Sequence, residues 1–143
     1  MRLVLDSNEY ILGLDNLTIV HPSRLLRFLA DNAERFDICA SRVIVEEVRR
    51  NLPEVRFKDF WAVIAVLDVT VLEDWDVSFS LREKYQAMGL KTGDAAIAAC
   101  AEAAGAEAVI TENRDFHGRA GLSFRALRAE EFLKEQAAGD SSA

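Results

Sequence analysis

Cysteine is nearly missing from this chain: Cys39 and Cys100 are the only two, each inside an apolar segment and without C-x-x-C spacing. A disulfide framework or a thiolate zinc site is therefore not the organising device, and both residues are expected as small buried hydrophobes. Histidine also occurs only twice, and neither His21 nor His117 has a partner at metal-ligand spacing. That argues against zinc and for lone surface histidines. No apolar run approaches the roughly 20 residues that cross a bilayer, and the opening MRLVLDSN meets an acidic residue too soon for a signal peptide, so a cytoplasmic chain is expected. There is no internal repeat, no low-complexity segment and no G-x-x-x-x-G-K loop to cradle phosphates. An excess of positive charge is missing too: 17 basic against 24 acidic residues give a net charge of -7. General nucleic-acid binding by bulk electrostatics is thereby disfavoured.

What the chain does have is enough apolar material for one core. Half of its 143 residues are hydrophobic, sufficient to bury roughly two-thirds of the unfolded chain's surface. Residues 1–136 are expected as a single domain, and residues 137–143 (AAGDSSA) as a disordered tail.

The pattern along the chain alternates strand and helix. Leu3, Val4 and Leu5 are consecutive, as in a strand buried on both faces, and Asp6 follows at its carboxyl end. Ser7 and Asn8 suit a turn, with helical spacing from Tyr10 to a break at Gly13 and Asp15–Asn16. A helix over 21–35 leads to a second strand over 36–40. Ser41 then caps RVIVEEVRRNL, which Pro53 ends. Glu47 falls on the edge of that helix's apolar face, whereas Glu46 points elsewhere and can pair with Arg49 or Arg50. A helix over 57–67, a strand over 69–72 and a helix over 77–88 follow. The aromatics of the first of these helices are expected in the core or at a dimer contact, and the helices bearing Phe60 and Trp61 or Leu81 and Tyr85 are candidates for a subunit surface. Lys91 to Phe116 holds an Ala-rich helix headed by Asp94, a strand over 108–110 and a loop with Thr111, Asn113 and Asp115. A short last strand over 122–124 and a helix over 129–136 complete an α/β domain with a mostly parallel sheet.

In open α/β sheets the ligand crevice lies outside the carboxyl ends of the strands. Asp6, Glu47, Asp94, Asn113 and Asp115 can all reach that edge. Singly, each has an ordinary explanation as a cap, surface or loop residue. Together, convergent carboxylates need a neutralising cation, and their hard oxygen donors suit Mg²⁺ or Mn²⁺. A carboxylate-held pair of such ions can activate water against a phosphodiester. The arginines cluster at Arg49, Arg50 and Arg56 and at Arg114, Arg119, Arg125 and Arg128. A local phosphate-binding surface remains open beside the commoner explanation of solvated helix faces.

With VLDSN, SRVIVEEVRRNL, GDAAIAAC and AVITENRDF in that order, the chain resembles the PIN-domain ribonucleases over nearly its whole length. Among them it is similar to the short VapC-type toxins of prokaryotic toxin–antitoxin pairs. The resemblance implies a three-layer α/β/α sandwich around about five mostly parallel strands, Mg²⁺- or Mn²⁺-dependent cleavage of RNA, a homodimer and an antitoxin protein as partner. It implies Asp6, Glu47 and Asp94 as catalytic metal ligands, with Asn113 and Asp115 in the last two acidic positions. Asn113 is neutral where the fully acidic form carries charge, so Asp115 is expected as the charged ligand. Thr111 would orient the site, Ser7 and Asn8 would bind the scissile phosphate or a metal-bound water, and Arg114 would contact RNA. The alternatives are a non-catalytic PIN-like binding or assembly module and, less favoured, a small-molecule phosphohydrolase.

Overall fold

The structure, a computed structural model, describes residues 1–15 and 20–141. Five strands form one parallel sheet: β1 (Arg2–Leu5), β2 (Asp37–Ser41), β3 (Thr70–Leu72), β4 (Ala108–Ile110) and β5 (Arg125–Leu127), in the order β3-β2-β1-β4-β5. Seven α-helices are described: α1 (Ser7–Asp15), α2 (Val20–Asp31), α3 (Arg42–Asn51), α4 (Glu54–Val66), α5 (Phe79–Ala87), α6 (Thr92–Ala104) and α7 (Ala129–Ser141). One-turn 3-10 helices follow α2 and β3. Leu3, Val4 and Leu5 of β1 are all fully buried, as are Val109 and Ile110 of β4. Such strands need helices on both faces. The α1, α2, α4 and α7 helices pack against one another, and α5 packs on α6, giving the α/β/α layering.

Local chemistry explains the element ends. Ser41 is the N-cap of α3, its Oγ accepting from the Ile44 N–H at 3.3 Å, and Pro53 begins α4 where a ring without N–H removes no helical bond. The α6 helix carries a continuous buried run from Ala95 to Ala101 and touches β2; small side chains permit that close approach. Its end is set by Gly105 in the left-handed conformation (φ 68°), which costs an L side chain more than it costs glycine.

Several expectations shift. Ser7 and Asn8 form the first turn of α1 rather than a turn before it, and Gly13 lies inside that helix. The break at Asp15–Asn16 extends into residues outside those described. The last strand is Arg125–Leu127, not 122–124, because Leu127 rather than Phe124 continues the ladder beside Ile110, while Phe124 packs its ring against Tyr85 and Phe116. The α7 helix runs on to Ser141, so 137–141 are helical where a disordered tail was expected. Phe60 and Tyr85 are fully buried core residues, Phe60 edge-on to Tyr10 at 5.2 Å, while Trp61 on the same helix as Phe60 is exposed.

Gly13 marks the tightest approach of α1 to α2. A Cβ there would stand 2.7 Å from Leu26 Cδ1 and 3.2 Å from the Pro22 carbonyl oxygen. Alanine improves helix propensity by roughly 0.5–1 kcal/mol, whereas overpacking costs about 1–3 kcal/mol. Gly13→Ala is therefore expected to destabilise the fold by about 1 kcal/mol in urea denaturation; a stabilised variant would show that the two helices separate freely.

Candidate functional site

The sheet order reverses at β1: the chain steps from β1 to β2 and β3, then returns across the sheet to β4 on the other side of β1. The crevice of such a fold opens at that point, beyond the strand carboxyl ends. A cleft of about 450 Å³ lies there, lined by Asp6, Ser7, Asn8, Ile11, Glu47, Arg50, Asn51, Asp94 and Asn113.

Asp6 forms its floor. The parallel register aligns Leu5 with Ile110, and the Asp6 N–H continues the ladder to the Ile110 carbonyl at 2.9 Å. The next residues on the two strands, Asp6 and Thr111, are thereby neighbours. Asp6 is 3% exposed, and its carboxylate is held from both sides: Oδ1 accepts from the Ser7 N–H at 2.7 Å, and Oδ2 accepts from Thr111 Oγ at 2.7 Å. Thr111 Oγ also accepts from the Asn113 N–H at 3.0 Å. One hydroxyl thus fixes both the first carboxylate and the loop after β4.

Ser7 links the second acid. Its hydroxyl donates to Glu47 Oε2 at 2.6 Å; the 3.4 Å separation from Asp6 Oδ1 leaves Glu47 as the acceptor of its single proton. Glu47 projects from α3 toward the start of α6, where a Cβ on Gly93 would lie 3.4 Å from Glu47 Oε1. Asp94, in the first turn of α6 rather than at its cap, accepts from Asn113 Nδ2 at 3.1 Å. Asn113 in turn accepts from the Asp115 N–H through Oδ1 at 2.9 Å.

Burial holds Glu47 above the usual carboxylate range; the Ser7 hydrogen bond opposes this, Asp6 and Asp94 reinforce it and Arg50 opposes it. Burial likewise raises Asp94, against the Asn113 hydrogen bond and with the help of Asp6 and Asp115. Negative charge is thus gathered without full compensation from the protein. The donor set is all oxygen, which fits Mg²⁺ or Mn²⁺ in kind. Among the described residues, however, no three His, Cys, Asp or Glu side chains form a cluster that could hold a metal ion. A small divalent ion would have to complete its shell with water, as Mg²⁺ commonly does.

The remaining expected residues are placed differently. Asp115 and Arg114 are exposed and do not line the cleft, whereas neutral Asn113 does. His117 is not a lone surface histidine: it is half-buried, with Nε2 2.8 Å from the Thr111 carbonyl oxygen, where it braces the loop. Ile11, Arg50 and Asn51 were not anticipated as cleft residues. The last two stand three and four positions after Glu47 on α3, and that helical spacing is the signal that identifies them.

Behind the cleft, Glu9 is fully buried on α1. Burial first, then the neighbouring Glu112 and Asp6 charges, push its carboxyl up to about 9, and neither carboxyl oxygen has a hydrogen-bond partner among the described residues.

Sequence and fold now agree on a class. The chain belongs to the PIN domain family, whose model matches residues 4–122. No curated protein matches it in sequence. Among solved structures it is similar to the crystal structure of VapBC2 from Rickettsia felis bound to a DNA fragment from their promoter, with a TM-score of 0.65, 18% identity, and coverage of 90% of this chain and 98% of that one. At that identity the likeness is one of fold.

Two measurements test this geometry. Thr111→Val keeps the shape but deprives Asp6 and the Asn113 N–H of a partner, and is expected to destabilise the protein by about 2 kcal/mol in urea denaturation; no change would mean that the bond is not made in solution. Glu9 binds a proton in the folded state between its ordinary value of 4.5 and about 9, where the unfolded chain has lost it. Its contribution to stability is therefore full below that window and is lost as pH rises through it. Glu9→Gln should gain stability relative to wild type as pH rises from 5.5 to 8.5; a difference that is constant with pH would sink this assignment.

Proposed function

We propose that the protein is a Mg²⁺- or Mn²⁺-dependent endoribonuclease, the toxin component of a toxin–antitoxin pair. The observation that carries this reading is the meeting of Asp6, Glu47, Asp94 and Asn113 in one cleft at the switch point of a PIN domain. The fold likeness to VapBC2, a structure bound to promoter DNA, supports an antitoxin protein as partner. An RNA substrate and a homodimer belong to the same reading.

Asp6, Glu47 and Asp94 would hold the metal partly through water, with Asn113 and Asp115 as the further candidate ligands. The bound ion would supply activation of a water for in-line attack on a phosphodiester and stabilisation of the leaving oxygen. The chain's own residues do the positioning. Thr111 and the Ser7 N–H aim the Asp6 carboxylate, the Ser7 hydroxyl orients Glu47, and the Asn113 amide orients Asp94. Asn8, exposed in the first turn of α1 on the wall of the cleft, would meet a substrate phosphate. Water has access to the open cleft, as hydrolysis requires.

Purified protein should cleave single-stranded RNA with Mn²⁺ or Mg²⁺ and lose that activity on EDTA treatment. Asp94→Asn should lower cleavage by about 100-fold or more, as expected for loss of a metal-held catalytic group. Activity that survives this substitution would refute the metal-ligand role. Protein that neither cleaves RNA nor takes up Mn²⁺ in calorimetry would instead be a non-catalytic PIN-like binding module.

A further inference from the structure

Resting on that reading and carrying it to substrate capture, we propose that Arg50 is the phosphate-binding residue that admits a single-stranded RNA backbone to the acidic cleft. A phosphodiester strand bears one negative charge per nucleotide, and the cleft it must enter is lined by Asp6, Glu47 and Asp94. Arg50 is the single cationic residue among the cleft-lining side chains. It is exposed on the last turn of α3, three residues after Glu47, so it stands at the mouth while Glu47 stands inside.

Arg50 is also free. It makes no hydrogen bond or ion pair among the described residues, and Glu46, four positions earlier, does not engage it. Other arginines are committed: Arg42 to Glu73, Arg125 to Glu135, and Arg119 to the carbonyl oxygens of Asp115 and Met88. Arg49, its neighbour in sequence, lies over a separate hollow with Leu52, Glu54 and Phe57. A guanidinium stays charged at any working pH and presents a planar fork that pairs two phosphate oxygens. Beside it, Asn51 uses its amide N–H on the Glu47 carbonyl at 2.7 Å, which leaves its side-chain oxygen for a ribose hydroxyl. With Asn8 across the cleft, these residues define a polar path over the carboxylates that suits a sugar-phosphate strand.

The test measures equilibrium binding of a fluorescein-labelled single-stranded oligoribonucleotide, with Ca²⁺ as the divalent ion, across a salt series. Arg50→Ala should weaken binding about tenfold and reduce the slope of log affinity against log salt by about 0.7, the value of one single-strand phosphate contact. Arg50→Lys should retain the slope and part of the affinity. Arg49→Ala, the same change in charge on another face, should bind as wild type. If Arg50→Ala binds no more weakly than Arg49→Ala, the assignment is overturned, and RNA cleavage by the wild type with Mn²⁺ would leave the nuclease reading standing. Wild-type protein that binds RNA through Arg50 and cleaves none would remove the nuclease reading and keep the contact. Protein that does neither removes both.

Discussion

The parallel pairing of β1 with β4 is the constraint on which the site depends. It brings residue 6 and residue 111, far apart in sequence, to adjacent positions at the end of the ladder, where a buried carboxylate meets a buried hydroxyl at 2.7 Å. The remaining interactions follow from that contact. Asp6 is tied to Ser7, Ser7 to Glu47, and Thr111 to the loop whose Asn113 reaches Asp94. A one-residue slip of register would turn alternate side chains to the opposite face and dismantle the whole chain of contacts. The complete burial of Leu3, Val4, Leu5, Val109 and Ile110 makes such a slip costly.

Such an arrangement must withstand its own charge. Three carboxylates line the cleft, and a fourth, Glu9, is buried behind them. The structure limits the repulsion in two ways. Burial and its acidic neighbours raise Glu9 to about 9, so that it is neutral near pH 7; the other acids each receive a directed hydrogen bond from Thr111, Ser7 or Asn113. The net charge of -7 is therefore a poor guide to the field inside the cleft. Local donors and one arginine set that field, and a bound divalent ion would change it further.

Much of this was legible in the sequence, for physical reasons that also explain what was not. Fully apolar triplets followed by a polar residue mark buried parallel strands, which locates Asp6 and Thr111; helical spacing in RVIVEEVRRNL distinguishes Glu47 from Glu46. What escaped depends on tertiary packing. Helical spacing leaves the Phe60 helix open to core or dimer contact, and only the packing of α1 on α4 and of α5 on α6 shows that Phe60 and Tyr85 are core. The β5 strand was misplaced because its edge pattern, with only Leu127 buried, is weaker than the apolar Leu122–Phe124 stretch beside it. His117 shows no motif at all; its role exists only because the loop folds back on the Thr111 carbonyl.

Asn113 shows how a departure from an all-acidic pattern can still serve the same geometry. An aspartate at this position would add another negative charge beside Asp94, already raised by burial and by Asp6 and Asp115, and could donate no hydrogen bond when ionised. The amide donates to Asp94 through its nitrogen while its oxygen accepts from the Asp115 N–H. It therefore holds two segments together that a carboxylate would push apart. The loss is in charge available to cations: three cleft carboxylates attract one divalent ion more readily than two. The balance between ordering the apo site and attracting a second ion is set at this residue, and the structure favours order.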